Sequence, residues 1–150
     1  MSTNTMDDGV FPSFNNNQDK NKIDKITAAF FDVFTNKNEK VPNLKQLKEL
    51  FISNGIIINN TTGTPAVFDL DGFIVPREKI LSDGTLTDFS EGEISSKTQI
   101  FENIAQRFSF YQKSGRLNGV YFESKGMKTI QFVKVNRIWK ISTVAWSDQK

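Results

Sequence analysis

The 150-residue chain contains no cysteine and no histidine. Without cysteine there is no disulfide framework, no thiolate nucleophile and no thiolate metal site. Without histidine, Ser-His-Asp triads, Cys-His pairs and imidazole-bound zinc are excluded. Acid–base chemistry is left to Asp, Glu, Lys and Tyr. No run of about 18 apolar residues occurs, so no helix is expected to span a bilayer. An excess of one charge is missing too. The 19 basic and 17 acidic residues are interspersed and leave +2, which carries no nucleic-acid or membrane-surface signature. Asp69-Leu70-Asp71-Gly72 opens like a calcium loop, but no further ligands follow at the required spacing. Neither a metal nor a cofactor is therefore expected. Residues 1–20 have no basic start and no apolar core, so no signal peptide is read there and a cytoplasmic location is expected.

What is present is phenylalanine. The apolar share is 37%, and 14 Phe side chains fill much volume from few positions. The length suits one domain with a sizeable core. Residues 1–20 are polar and Asn-rich, with Val10, Phe11 and Phe14 as their only apolar marks. They are expected to be a flexible leader, or else an arm that docks through the two Phe. Residues 21–150 are expected to form the single domain.

Helical spacing of Ile23, Ile26, Phe30, Val33 and Phe34 predicts a helix over 21–34. Asn43 with Gln46 three residues on predicts a capped second helix, ended by Asn54-Gly55. Ile56-Ile57-Ile58 reads as a short strand, 66–68 as another, and 77–81 as a short helix entered through Pro76. From Leu86 the pattern is β throughout: 86–95 with a bulge or bend at Gly92, then 98–111, 127–135 and 138–146. A two-residue loop at Asn136-Arg137 would pair Phe132 with Ile141, Ile130 with Thr143 and Gln131 with Ser142, matching apolar to apolar and polar to polar. Arg is a poor residue for a primed turn, so a longer loop is the competing reading. Helices first and strands last predict an α+β domain: a curved antiparallel sheet with the helices on one face.

Several stretches together resemble the nuclear transport factor 2-like superfamily, and within it uncharacterised bacterial SnoaL-like proteins. They are LTDFSE at 86–91, IFENIAQRFSFY at 100–111 with KSG at 113–115, GMKTIQFV at 126–133, WKIS at 139–142 and AW at 145–146. The resemblance covers about 22–148. It implies a cystatin-like cone with N-terminal helices on the concave face of the sheet, a pocket at the open end, and a homodimer formed through the outer sheet face. Members of known chemistry use an Asp base with a Tyr or Asp donor, or a His-Asp pair; the latter is absent here.

Candidate site residues come from the long strands. Arg107 and Tyr111 are four apart on a strand and share a face, and Glu93 on the preceding strand comes within reach of Arg107 in a favourable register. With Glu91, Gln131 and Trp146 they form the candidate ligand-binding group for a carboxylate or carbonyl. A structural ion pair on the solvent or dimer face is the competing reading. Glu93 is the weak candidate for a catalytic base. Three functions follow: a small-molecule binder, an isomerase- or cyclase-type enzyme, or an interaction module built on the sheet. One fold hosts all three, and the absence of a recognisable catalytic set favours the first.

Overall fold

The computed structural model describes residues 16–150. The elements are α1 (Asn17–Asp32), single 3₁₀ turns at Lys37–Glu39 and Leu44–Gln46, α2 (Leu47–Leu50), β1 (Phe51–Asn59), β2 (Ala66–Phe68), α3 (Leu70–Ser82), β3 (Leu86–Phe101), β4 (Ile104–Leu117), β5 (Val120–Val135) and β6 (Ile138–Asp148). The six strands make one curved, unclosed sheet in the order β2-β1-β6-β5-β4-β3. The α+β expectation holds, with one correction. The sheet is mixed, because β1 runs parallel to β6 while every other pair is antiparallel. A parallel neighbour needs a long crossover, and β1 reaches β6 across the whole of the intervening meander.

The inner face is read directly from strand alternation. Ala105, Arg107, Ser109 and Tyr111 on β4, Lys128, Ile130 and Phe132 on β5, and Trp139, Ile141, Val144 and Trp146 on β6 are buried. Helix α1 lays Ile23, Thr27, Phe30 and Phe31 over them, and Phe34 follows just past its end. Phe30 is the hub of this packing, with edge-on contacts to Phe31 and Phe34 at 5.6 Å between centroids.

Local chemistry moved several boundaries. Helix α1 starts at Asn17, four residues before the predicted 21, because the Asn16 side chain accepts from the Asp19 amide at 3.1 Å. The first 15 residues of the predicted leader, with Phe11 and Phe14, lie outside the described residues. The predicted capping box at Asn43 does not form, and α2 is one turn long. Asn54-Gly55 does not stop a helix but lies in a register shift of β1. A Cβ on Gly55 would come within 2.6 Å of the Phe51 ring, so only glycine lets the strand fold over that side chain.

Helix α3 starts at Leu70, with Asp69 accepting from the Gly72 amide at 2.7 Å. The predicted turn at Asp71-Gly72 is therefore its first turn, and Pro76 is interior. Pro76 gives up one backbone bond and its ring faces the carbonyl of Gly72. Burial of Leu70, Phe73, Ile74 and Leu81 outweighs that loss.

The strands are longer than predicted. Residues 98–101 belong to β3, whose bulges fall at Thr87/Ser90 and Glu93/Ser95, and β4 runs unbroken through Ser114-Gly115. The Asn136-Arg137 loop does have two residues, both at positive φ (50° and 69°). The strand twist demands this even of Arg. Phe132 pairs with Ile141 as expected, but a bulge then slips the register by one. Gln131 meets Thr143 and Ile130 meets Val144.

Candidate functional site

Strand register brings the chemistry-bearing side chains of the inner face into two neighbouring groups. On β5, Lys128 lies opposite Ser109 of β4 and Trp146 of β6, and Gly126 lies opposite Tyr111. A Cβ at Gly126 would sit 2.3 Å from the Tyr111 hydroxyl. The glycine is what lets the phenol cross the strand.

The first group is centred on Lys128. Its side chain is 5% exposed, and Nζ lies 3.3 Å from Glu91 Oε2 on β3, itself 7% exposed. That separation is longer than the 2.7–2.9 Å of a tight charge-assisted bond. Four rings surround the ammonium, with Tyr111 at 4.4 Å, Trp146 at 4.5 Å, Phe31 at 5.7 Å and Phe30 at 5.9 Å to their centroids. Burial holds the Lys128 ammonium below the usual lysine range, with Glu91 pulling part of the way back. The Tyr111 hydroxyl donates to Asp148 Oδ1 at 2.5 Å, and Lys113 reaches the same oxygen at 3.1 Å. Burial first, then the Asp148 and Glu91 carboxylates, push the Tyr111 phenol well above its usual range. Arg77 on α3 lies 4.9 Å over the Phe73 ring and feels the field of Glu91; burial lowers it from the ordinary arginine value. Three cations (Lys128, Arg77, Lys113) thus stand with two carboxylates (Glu91, Asp148). The surplus is positive.

The second group is centred on Arg107, 4% exposed. Its Nε and Nη2 donate to the two oxygens of Glu93 at 2.9 and 2.5 Å, and Nη1 donates to Asp24 at 2.6 Å and Thr98 at 2.9 Å. Ser109 donates to Glu93 at 2.6 Å. Burial alone would lower Arg107, but Glu93 and Asp24 outweigh it and hold the guanidinium above its ordinary value. Both Glu93 oxygens are occupied by fixed donors, an arrangement that suits a structural clamp tying α1 to β3 and β4 better than a proton-abstracting base.

Five sequence-predicted residues, Glu91, Glu93, Arg107, Tyr111 and Trp146, lie on the inner face, divided between these two groups. Gln131 does not join them. It lies on the outer face beside a shallow groove of about 320 Å³ with Gln106, Phe108, Thr129 and Thr143. The reason is parity, since Ile130 and Phe132 point inward and the residue between them points out. The same parity marks Lys128, which sequence reasoning missed: a lysine two residues from Ile130 and four from Phe132 shares their buried face. Asp148, Arg77 and Asp24 reach the groups through tertiary contacts and carry no comparable sequence signal. Among the described residues, no three Asp or Glu side chains gather as a metal site.

No protein-family model and no curated relative matches the chain. Solved structures do match. One, from Novosphingobium aromaticivorans and provisionally named an aromatic ring hydroxylase, aligns with a TM-score of 0.74 at 11% identity over 91% of this chain and 93% of its own. A nuclear transport factor 2-like protein from Salmonella enterica aligns at 0.71, with 13% identity over 87% and 91%. A protein from Exiguobacterium sibiricum, provisionally named a calmodulin-dependent kinase II association domain, aligns at 0.69, with 10% identity over 92% and 98%. At such identities the likeness is one of fold: this chain has the cone architecture of nuclear transport factor 2-like and cystatin-like proteins.

Proposed function

From that cone architecture, we propose that the protein binds a small molecule on the inner face, one with an apolar body and a carboxylate or carbonyl end. The observation that carries the reading is Lys128: a buried ammonium inside four aromatic rings, only loosely paired with Glu91. An apolar interior makes a hydrogen bond to an anion strong, and the rings supply apolar area for the rest of the ligand. Arg77 and Lys113 add to the positive surplus. A homodimer through the outer sheet face accompanies this reading. Phe101, Ile104, Phe108 and Met127 are exposed there, with Gln106, Thr129 and Gln131 between them and Lys97 opposite Phe108.

Quenching of tryptophan fluorescence by 4-methylbenzoate, against the neutral 4-methylbenzyl alcohol, tests the reading. A charge-assisted bond contributes about 1.5–3 kcal/mol, so the carboxylate should bind roughly 10- to 100-fold more tightly. The Lys128→Arg variant should keep the preference and Lys128→Met should lose it. Equal affinity for the two compounds, or no saturable quenching by either, contradicts the reading.

A further inference from the structure

Lys128 is more than a cation. Burial shifts Lys128 toward the free amine, and a free amine is a nucleophile. The only acidic side chain in ion-pair contact with Lys128 among the described residues is Glu91, so proton acceptor and nucleophile are already side by side. Tyr111, fixed by Asp148, presents its ring to the same nitrogen at 4.4 Å. We propose that Lys128 Nζ is a carbonyl-reactive amine that condenses with an aldehyde or ketone group of the bound molecule to give a Schiff base. The proposal rests on the small-molecule reading above and names the carbonyl compounds as its ligand class.

The chemistry balances without an outside reagent. Lys128 passes one proton to Glu91, and the nitrogen lone pair attacks the carbonyl carbon while the C=O π pair moves to oxygen. Nitrogen of the adduct gives up a proton, oxygen takes one, and a carbinolamine results. Glu91 returns its proton to the carbinolamine hydroxyl, which leaves as water as the nitrogen lone pair forms the C=N bond. Ammonium and carbonyl thus become protonated imine and water, with Glu91 again a carboxylate and no change of oxidation state.

The test is reductive trapping. The full-length protein is incubated with 4-carboxybenzaldehyde, sodium cyanoborohydride is added to reduce any imine to a stable secondary amine, and tryptic peptides are mapped by mass spectrometry. The time course is followed over hours. The expected result is a modified 126–134 peptide, uncleaved at Lys128, labelled roughly tenfold or more above the exposed Lys45 and Lys48 at pH 7, because the carbonyl compound is held beside the amine. Prior saturation with 4-methylbenzoate should suppress this labelling alone. The Lys128→Arg variant should lose the site-selective adduct while Lys45 and Lys48 are labelled as before. Labelling of Lys128 no faster than of Lys45 and Lys48, while 4-methylbenzoate still binds, overturns the Schiff base and leaves the binding reading standing. Absence of both labelling and binding overturns the two together.

Discussion

Lys128 and Glu91 illustrate why a single buried charge costs more than a buried pair. Removing one partner of a buried ion pair leaves the other uncompensated and typically costs about 3–5 kcal/mol, whereas replacing both with apolar groups is often neutral or stabilising. Urea denaturation should therefore show Lys128→Met losing about 3 kcal/mol, and the Lys128→Met, Glu91→Met double variant recovering most of it. Additive losses would mean the pair is not coupled. The pH dependence has a defined sign. The folded-state Lys128 value lies below the ordinary 10.5, so below pH 10.5 the unfolded chain holds more protons than the folded one. Stability then rises with pH toward 10.5. The gain between pH 8 and 10 should be visibly smaller in Lys128→Met than in the wild type; an equal gain would remove Lys128 as its source. Residue-scale reading of the sequence went as far as Arg107, Tyr111, Glu91, Glu93 and Trp146. It overlooked Lys128 because a lysine in a strand is ordinarily taken as exposed, although the parity of Ile130 and Phe132 placed it inward.

Elements in this fold are joined by side chains that stand in for backbone partners. Asn36, just past α1, donates through Nδ2 to the carbonyls of Leu81 at 3.0 Å and Leu86 at 2.7 Å. Its Oδ1 accepts from the Phe89 amide at 2.7 Å. One amide thereby links the ends of α1 and α3 to the start of β3. Asn36→Ala leaves three part-buried backbone groups without these partners, each costing about 1–3 kcal/mol when fully desolvated. A loss of about 2–4 kcal/mol in thermal or urea unfolding is expected, and a loss near zero would mean water replaces the side chain freely. Elements were legible where periodicity was long and turns were short. The α1 stripe, the Asn136-Arg137 hairpin and the Phe132–Ile141 pairing could all be read. The end of α2 and the start of α3 could not, because burial of Phe51 and Phe73 overrode the local turn signals at Asn54-Gly55 and Asp71-Gly72. The parallel β1–β6 pairing had no sequence signature, since it depends on which edge of the finished meander β1 meets.

The whole molecule presents two faces of opposite character. The inner face gathers the charged groups under α1, and the outer face carries exposed Phe108, Ile104 and Phe101, with Lys97 opposite Phe108. Exposed apolar surface of that kind is the basis of the proposed dimer. In light-scattering detection after gel filtration, the wild type should run as a dimer and Phe108→Glu as a folded monomer; a monomeric wild type would discard the outer-face interface. The inner face is independent of that outcome. Its central claim is that a small molecule binds against Lys128 and the rings around it. The most direct measurement is a crystal structure of the protein purified without added ligand, inspected at the Lys128 ammonium. Density of a small molecule within hydrogen-bond distance of Nζ, with its apolar part against Trp146 and Phe31, is the result predicted. An ammonium in contact only with Glu91 and its four rings, with no further density against Nζ, would contradict the claim.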